Sequence, residues 1–102
     1  MLKLTYKDYV IYFTSACLKE PFYLHVNSPI PCRSGAAKLW ISKDREYIIE
    51  DQGQFSKEEL SKLYKKFIKN NLSSFETDWR ESSGVEVIVY SSKFESFTNN
   101  FG

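Results

Sequence analysis

From Leu60 to Trp79 the apolar residues Leu60, Leu63, Tyr64, Phe67, Ile68, Leu72, Phe75 and Trp79 fall at steps of three and four, which places them on one side of a 3.6-residue turn. A stripe of that length has to be buried, and the need constrains the rest of the architecture. The helix that carries it starts at Ser56, because Ser56 and Glu59 form an S-x-x-E capping box in which each end satisfies the other's free amide. It runs to about Glu81 and is ended by Ser82, Ser83 and Gly84. Asn70, Asn71, Ser73 and Ser74 weaken helix propensity midway, and Ser73 with Glu76 would make a second capping box. The region therefore reads as one long helix or two joined at a bend.

The cover for the stripe lies in the preceding half. Residues 9–15 (YVIYFTS) and 22–27 (FYLHVN) are rich in β-branched and aromatic types and form a hairpin across Pro21. Residues 28–35 hold two prolines, two serines and a glycine, and make a projecting loop. Residues 36–42 (AAKLWIS) are a third strand, 43–45 a polar turn, 46–50 (EYIIE) a fourth strand, and 85–90 (VEVIVY) a fifth. The order β-β-β-β-α-β gives an α+β fold: a single antiparallel sheet with one long or two consecutive helices packed on one face. The 102 residues make one domain, with 91–102 a flexible or packed C-terminal tail.

Apolar residues at 42% and aromatics at 17% exclude disorder, and a formal charge of +1 excludes function by bulk charge. No apolar run approaches the roughly 18 residues of a membrane span, and residues 1–20 lack a secretory pattern, so the expectation is a cytoplasmic protein without membrane contact. Cys17 and Cys32 lack zinc-site spacing and read as free thiols, since a bridge between them would need a topology other than the 10–27 hairpin.

Period-two alternation assigns Ile11, Phe13, Leu24, Val26, Leu39 and Ile41 to the face under the helix. The opposite face then collects Tyr12, Tyr23, His25, Lys38 and Trp40, a flat aromatic surface with one Lys and the only His. Such a surface anchors protein partners or stacks nucleobases. It can equally be covered by the tail, whose Phe94, Phe97 and Phe101 need a place, or by a second copy in a homodimer. A second candidate is the ridge Lys62, Lys65, Lys66 and Lys69, which could rest on phosphates or on an acidic partner. Its plain alternative is a solvated helix face, with Glu58 four residues before Lys62 supporting the helix.

Catalysis is poorly provided for. His25 sits mid-strand with no orienting partner in sequence, and Lys43, Asp44, Arg45 and Glu46 make an ordinary charged turn without a second acidic pair for a metal. The four glycines, at 35, 53, 84 and 102, form no phosphate loop. No catalytic residue, metal or cofactor is assigned, and the residues favour a non-enzymatic role.

Three strings, Glu20-Pro21-Phe22-Tyr23-Leu24-His25-Val26, Gly35-Ala36-Ala37-Lys38-Leu39-Trp40-Ile41, and the capped helix from Ser56 through Glu59-Leu60 to Asn71 and Trp79, occur in an order that resembles the small bacterial domain-of-unknown-function family 4160. The resemblance covers about residues 10–84. Members often carry a further His where this chain has Phe22 or Tyr23, a departure that counts against paired-histidine chemistry. The resemblance implies a small cytoplasmic prokaryotic or phage protein, often encoded beside a second small gene as in toxin–antitoxin or regulatory pairs. It also implies a shared surface at His25, Lys38 and Trp40, without supplying a reaction.

Two functional expectations follow. The first is an interaction module binding a protein partner through Tyr12, Tyr23, His25, Lys38 and Trp40, as a regulator or a phage-encoded inhibitor of a host defence complex. The second is a nucleic-acid-binding or toxin-like protein using Lys62, Lys65, Lys66 and Lys69.

Overall fold

The computed structural model describes residues 2–28 and 35–94. Five strands, β1 (Lys3–Tyr6), β2 (Tyr9–Tyr12), β3 (Tyr23–Asn27), β4 (Ala37–Ile41) and β5 (Tyr47–Asp51), form one antiparallel sheet whose spatial order is the chain order. A helix over Lys57–Ser83 packs on one face, with α1 (Lys57–Leu63) and α2 (Leu72–Ser83) as its regular ends. The α+β architecture expected from the sequence is present.

The register shows why the sheet has two unlike faces. Ile11 pairs with Val26, Leu24 with Leu39, and Ile41 with Tyr47, so these side chains share the side on which the helix lies. Ile11, Phe13, Leu24, Val26, Leu39 and Ile41 are all buried there, as alternation predicted. From the helix they meet Leu60, Leu63, Tyr64, Ile68, Leu72, Phe75 and Trp79, the apolar stripe itself.

The helix is one rod, and its irregularity begins at Tyr64, earlier than the Asn-Ser stretch suggested, and ends at the expected Asn70 and Asn71. The capping box at Ser56 is formed, with the Glu59 amide donating to Ser56 Oγ at 3.1 Å and Glu59 Oε1 accepting from the Ser56 amide at 3.3 Å. A π turn then occupies Tyr64–Ile68 and a 3₁₀ turn Lys69–Asn71. Successive steps of four, Leu60 to Tyr64 to Ile68 to Leu72, would carry the stripe about 40° round a 3.6-residue helix at each step. A wider turn takes up that drift. Carbonyls at this turn accept from side chains: Asn70 Nδ2 donates to Lys66 O at 3.2 Å and Asn71 Nδ2 to Phe67 O at 2.8 Å. No capping box forms at Ser73, because it lies inside the helix; its hydroxyl and Glu76 both meet Arg45 instead. Gly84, at φ 75, closes the helix with its amide on Arg80 O.

Two strand expectations need correction. The fifth strand is β1, hairpinned to β2 through Lys7 and Asp8, and residues 85–90 form no strand. Both sides of β3 are taken by β2 and β4, so this β-prone run meets the sheet only at its end, where Val89 O accepts from the Phe22 amide at 2.9 Å. Ile88 turns into the core while Val85, Val87 and Val89 remain exposed. Strand β2 also ends at Tyr12 rather than residue 15, because Ser15–Lys19 form a 3₁₀ turn. Thr14 caps that turn on Cys17, whose thiol is free and buried. Cys32, most of the projecting loop, Phe97 and Phe101 lie outside the described residues.

The β4–β5 hairpin aims its turn at the helix. Ser42 Oγ accepts from the amides of Asp44 and Glu46, and Arg45 adopts a left-handed backbone at φ 67. Arg45 Nη1 reaches Glu76 Oε1 at 2.8 Å, Tyr90 Oη donates to Glu76 Oε2 at 3.0 Å, and the Tyr64 hydroxyl donates to the Arg45 carbonyl. This network ties hairpin, helix and residues 85–90 together. Among the described residues no helix is long and apolar enough to cross a membrane.

Candidate functional site

The side of the sheet away from the helix is built from cross-strand rows. Lys3 lies opposite Tyr12, Tyr12 opposite His25, His25 opposite Lys38, and Lys38 opposite Asp51, while Tyr23 lies opposite Trp40. Facing partners in an antiparallel pair share one side, so Tyr12, His25, Tyr23, Lys38 and Trp40 are brought together as the alternation required. Their rings form a continuous row, with centroids 5.4 Å apart for Tyr12 and His25, 5.1 Å for His25 and Tyr23, and 5.2 Å for Tyr23 and Trp40. His25 Nδ1 is held 3.2 Å from the carbonyl of Ala37, which fixes the ring against the sheet.

The row is less open than its residue types suggest. Tyr12, His25 and Lys38 are half-buried, but Tyr23 and Trp40 retain only 5% and 6% of their exposure. They form the floor of the surface rather than its contact area. The cover comes from charged side chains and, at Tyr23, from Trp79 of the helix, whose ring centre lies 6.3 Å away. Lys38 Nζ sits 4.3 Å from the Tyr23 ring centre and 4.4 Å from that of Trp40, and pairs with Glu20 at 3.3 Å. Lys93 lies 5.7 Å from the Trp40 ring and pairs with Glu50, so the start of the tail does reach this side. Phe94 packs half-buried against the core.

The electrostatics follow this arrangement. The Tyr23 hydroxyl, and then Lys38, hold the Glu20 carboxyl below the usual carboxylate range, and Lys93 does the same for Glu50. Burial, aided by Cys17 and Glu20, pushes the Tyr23 hydroxyl up. The Trp40 indole N–H is buried without a hydrogen-bond partner. Sequence reasoning missed Glu20, Glu50 and Lys93, which are distant in the chain. The only local signal was that a cation between two aromatic positions, Lys38 between Tyr23 and Trp40, attracts carboxylates as well as rings.

The second candidate is exposed as expected. Lys62, Lys65, Lys66 and Lys69 all lie on the solvent side of the helix, with Lys65 and Lys66 inside the π turn. The Glu58 to Lys62 pairing does not form, and among the described residues none of the four lysines has a carboxylate partner. Among the described residues no three His, Cys, Asp or Glu side chains converge as a metal-ligand set. No protein-family model, curated protein or solved structure matches the chain.

Proposed function

We propose that this protein is a non-enzymatic interaction module that docks a protein partner on the outer face of its sheet. The observation that carries the reading is the continuous row of Tyr12, His25, Tyr23 and Trp40 on the side that the helix leaves uncovered. Rings already locked by the sheet and by Lys38 lose little freedom on docking, which favours affinity from a small contact area. Tyr12, His25 and Lys38 supply the contact, and Tyr23 with Trp40 hold them in place. We place this activity in a regulator of a toxin–antitoxin-like pair, the setting that the resemblance to family 4160 implies, or in a phage-encoded inhibitor of a host defence complex.

Burial changes which substitutions test the idea. Tyr23→Ala or Trp40→Ala would open the interior, so the informative pair is Tyr12→Ala with His25→Ala. With a partner captured from the native host and purified, the double variant is expected to bind at least about tenfold more weakly, the scale of one interface hot spot. Its unfolding midpoint should stay close to that of the parent. Unchanged affinity in a folded double variant contradicts the proposal.

A further inference from the structure

We propose that the lysine side of the helix is a second binding site, for single-stranded nucleic acid. The four ridge lysines are exposed and without carboxylate partners among the described residues, so their charge is available to an outside ligand. The fold adds a fifth cation that the linear pattern does not show. The β1–β2 turn sets Lys7, at φ 53, across from the helix, leaving a groove of about 380 Å³ lined by Tyr6, Lys7, Tyr9, Lys62, Leu63 and Lys66.

The groove also carries an ordered ring. Tyr6 stacks on Phe67 with centroids 4.6 Å apart and 17° between planes, and Lys7 Nζ lies 5.4 Å from its centre. Cations interleaved with a pre-stacked aromatic are what a strand with unpaired bases exploits, since phosphates meet the lysines and a base finds a π-face. A duplex offers phosphates but keeps its base faces closed, which is why the aromatic selects the single strand. Two carboxylates also line the groove. Glu59 is occupied, with Oε2 accepting from the Tyr9 hydroxyl at 2.7 Å and Oε1 from the Ser56 amide. Glu58 and Glu59 both oppose an anion, against Lys7, Lys62 and Lys66 in the groove lining and Lys65 and Lys69 further along the exposed ridge. A net charge of +1 hides this side because acidic residues gather elsewhere, at Glu76, Asp78, Glu81 and Glu86.

The test is fluorescence anisotropy with a labelled oligouridine about 15 nucleotides long, near the upper end of one stacking site, alongside a duplex of equal length and vesicles of anionic lipid. The expected result is single-strand binding in the range of about 10⁻⁶ to 10⁻⁴ M that weakens with salt. Lys62→Gln with Lys66→Gln should reduce the log–log salt slope by about 1.4, two phosphate contacts at roughly 0.7 each. Tyr6→Leu, which keeps an apolar contact on Phe67, should weaken the single strand several-fold and leave any residual duplex binding unchanged. Absence of binding at low salt, a slope unaltered in the folded double variant, equal affinity for the duplex, or binding to vesicles alone would each overturn the assignment.

Discussion

Replacing Trp79 with alanine is expected to destabilise the fold by about 3–5 kcal/mol, the usual cost of truncating a buried large aromatic. Trp79 retains 3% of its exposure and is the point where helix and sheet lock, with ring centroids 4.9 Å from Phe13, 5.0 Å from Phe22 and 6.3 Å from Tyr23. Alanine leaves a cavity that three rings border, and rings held by strand register are poorly placed to collapse into it. Against a typical stability of about 5–15 kcal/mol, that loss removes a large share of the whole. The thermal midpoint should fall by more than about 12 °C in a domain of this size. Val87→Ala is the control: at 77% exposure it should change stability by no more than about 0.5 kcal/mol. Urea denaturation of the two variants side by side checks the contrast, and similar losses in both would mean that Trp79 is not the anchor described.

Alkaline pH is expected to unfold the protein over a narrow window. Burial, with its Glu59 hydrogen bond, pushes Tyr9 up to about 12; burial raises Tyr64 to about 12, and burial with the Glu76 hydrogen bond raises Tyr90 to about 12. Tyr23 is raised as well. A group whose pKa is higher folded than unfolded holds its proton longer in the native state, so its stabilising contribution is complete below about pH 10 and is lost as pH climbs through the folded value. Tyr23 and Tyr64, the two buried ones, alone correspond to about 2.7 kcal/mol per pH unit between about pH 10 and 12. Tyr9 and Tyr90 are half-buried and add less, because solvent screens them. Unfolding free energy should therefore be flat to about pH 9 and then drop steeply, with tyrosinate absorbance at these positions appearing together with loss of structure. Tyr64→Phe should make the drop shallower by about one proton. A stability profile that stays level through pH 11 would contradict the burial assigned to these hydroxyls.

Much of this architecture was legible because helix and strand periods differ. The stripe from Leu60 to Trp79 has one reading at 3.6 residues per turn, and Ser56 with Glu59 fixes where the helix begins. Alternation in Leu24–Val26 and Leu39–Ile41 likewise settles which side chains lie under it. Strand β1 was missed because Lys3–Tyr6 is only four residues long and its turn, Lys7 and Asp8, carries neither Gly nor Asn. The β-prone run at 85–90 misled because propensity says that a segment suits a ladder, whereas only topology says whether a free strand edge is within reach.

The candidate surface shows the same division. Residue type and period put Tyr12, Tyr23, His25, Lys38 and Trp40 on one side, and the register agrees. What period cannot encode is cover. Lys38 lies over Tyr23 and Trp40, Glu20, Glu50 and Lys93 gather round it, and Trp79 of the helix packs on Tyr23, all from distant points in the chain. The Arg45, Glu76 and Tyr90 network was hidden for the same reason, since each member looks like an ordinary surface residue until the hairpin turn meets the helix.

Titration of the isotope-labelled chain with its purified partner, followed through side-chain resonances, tests the docking reading most directly. Shifts or broadening concentrated on the Tyr12 and His25 rings and the Lys38 methylenes, with Tyr64 and Phe75 on the buried side of the helix unmoved, are the predicted outcome. Perturbations confined to Lys62, Lys65, Lys66 and Lys69, with the Tyr12 and His25 signals unchanged, would contradict it.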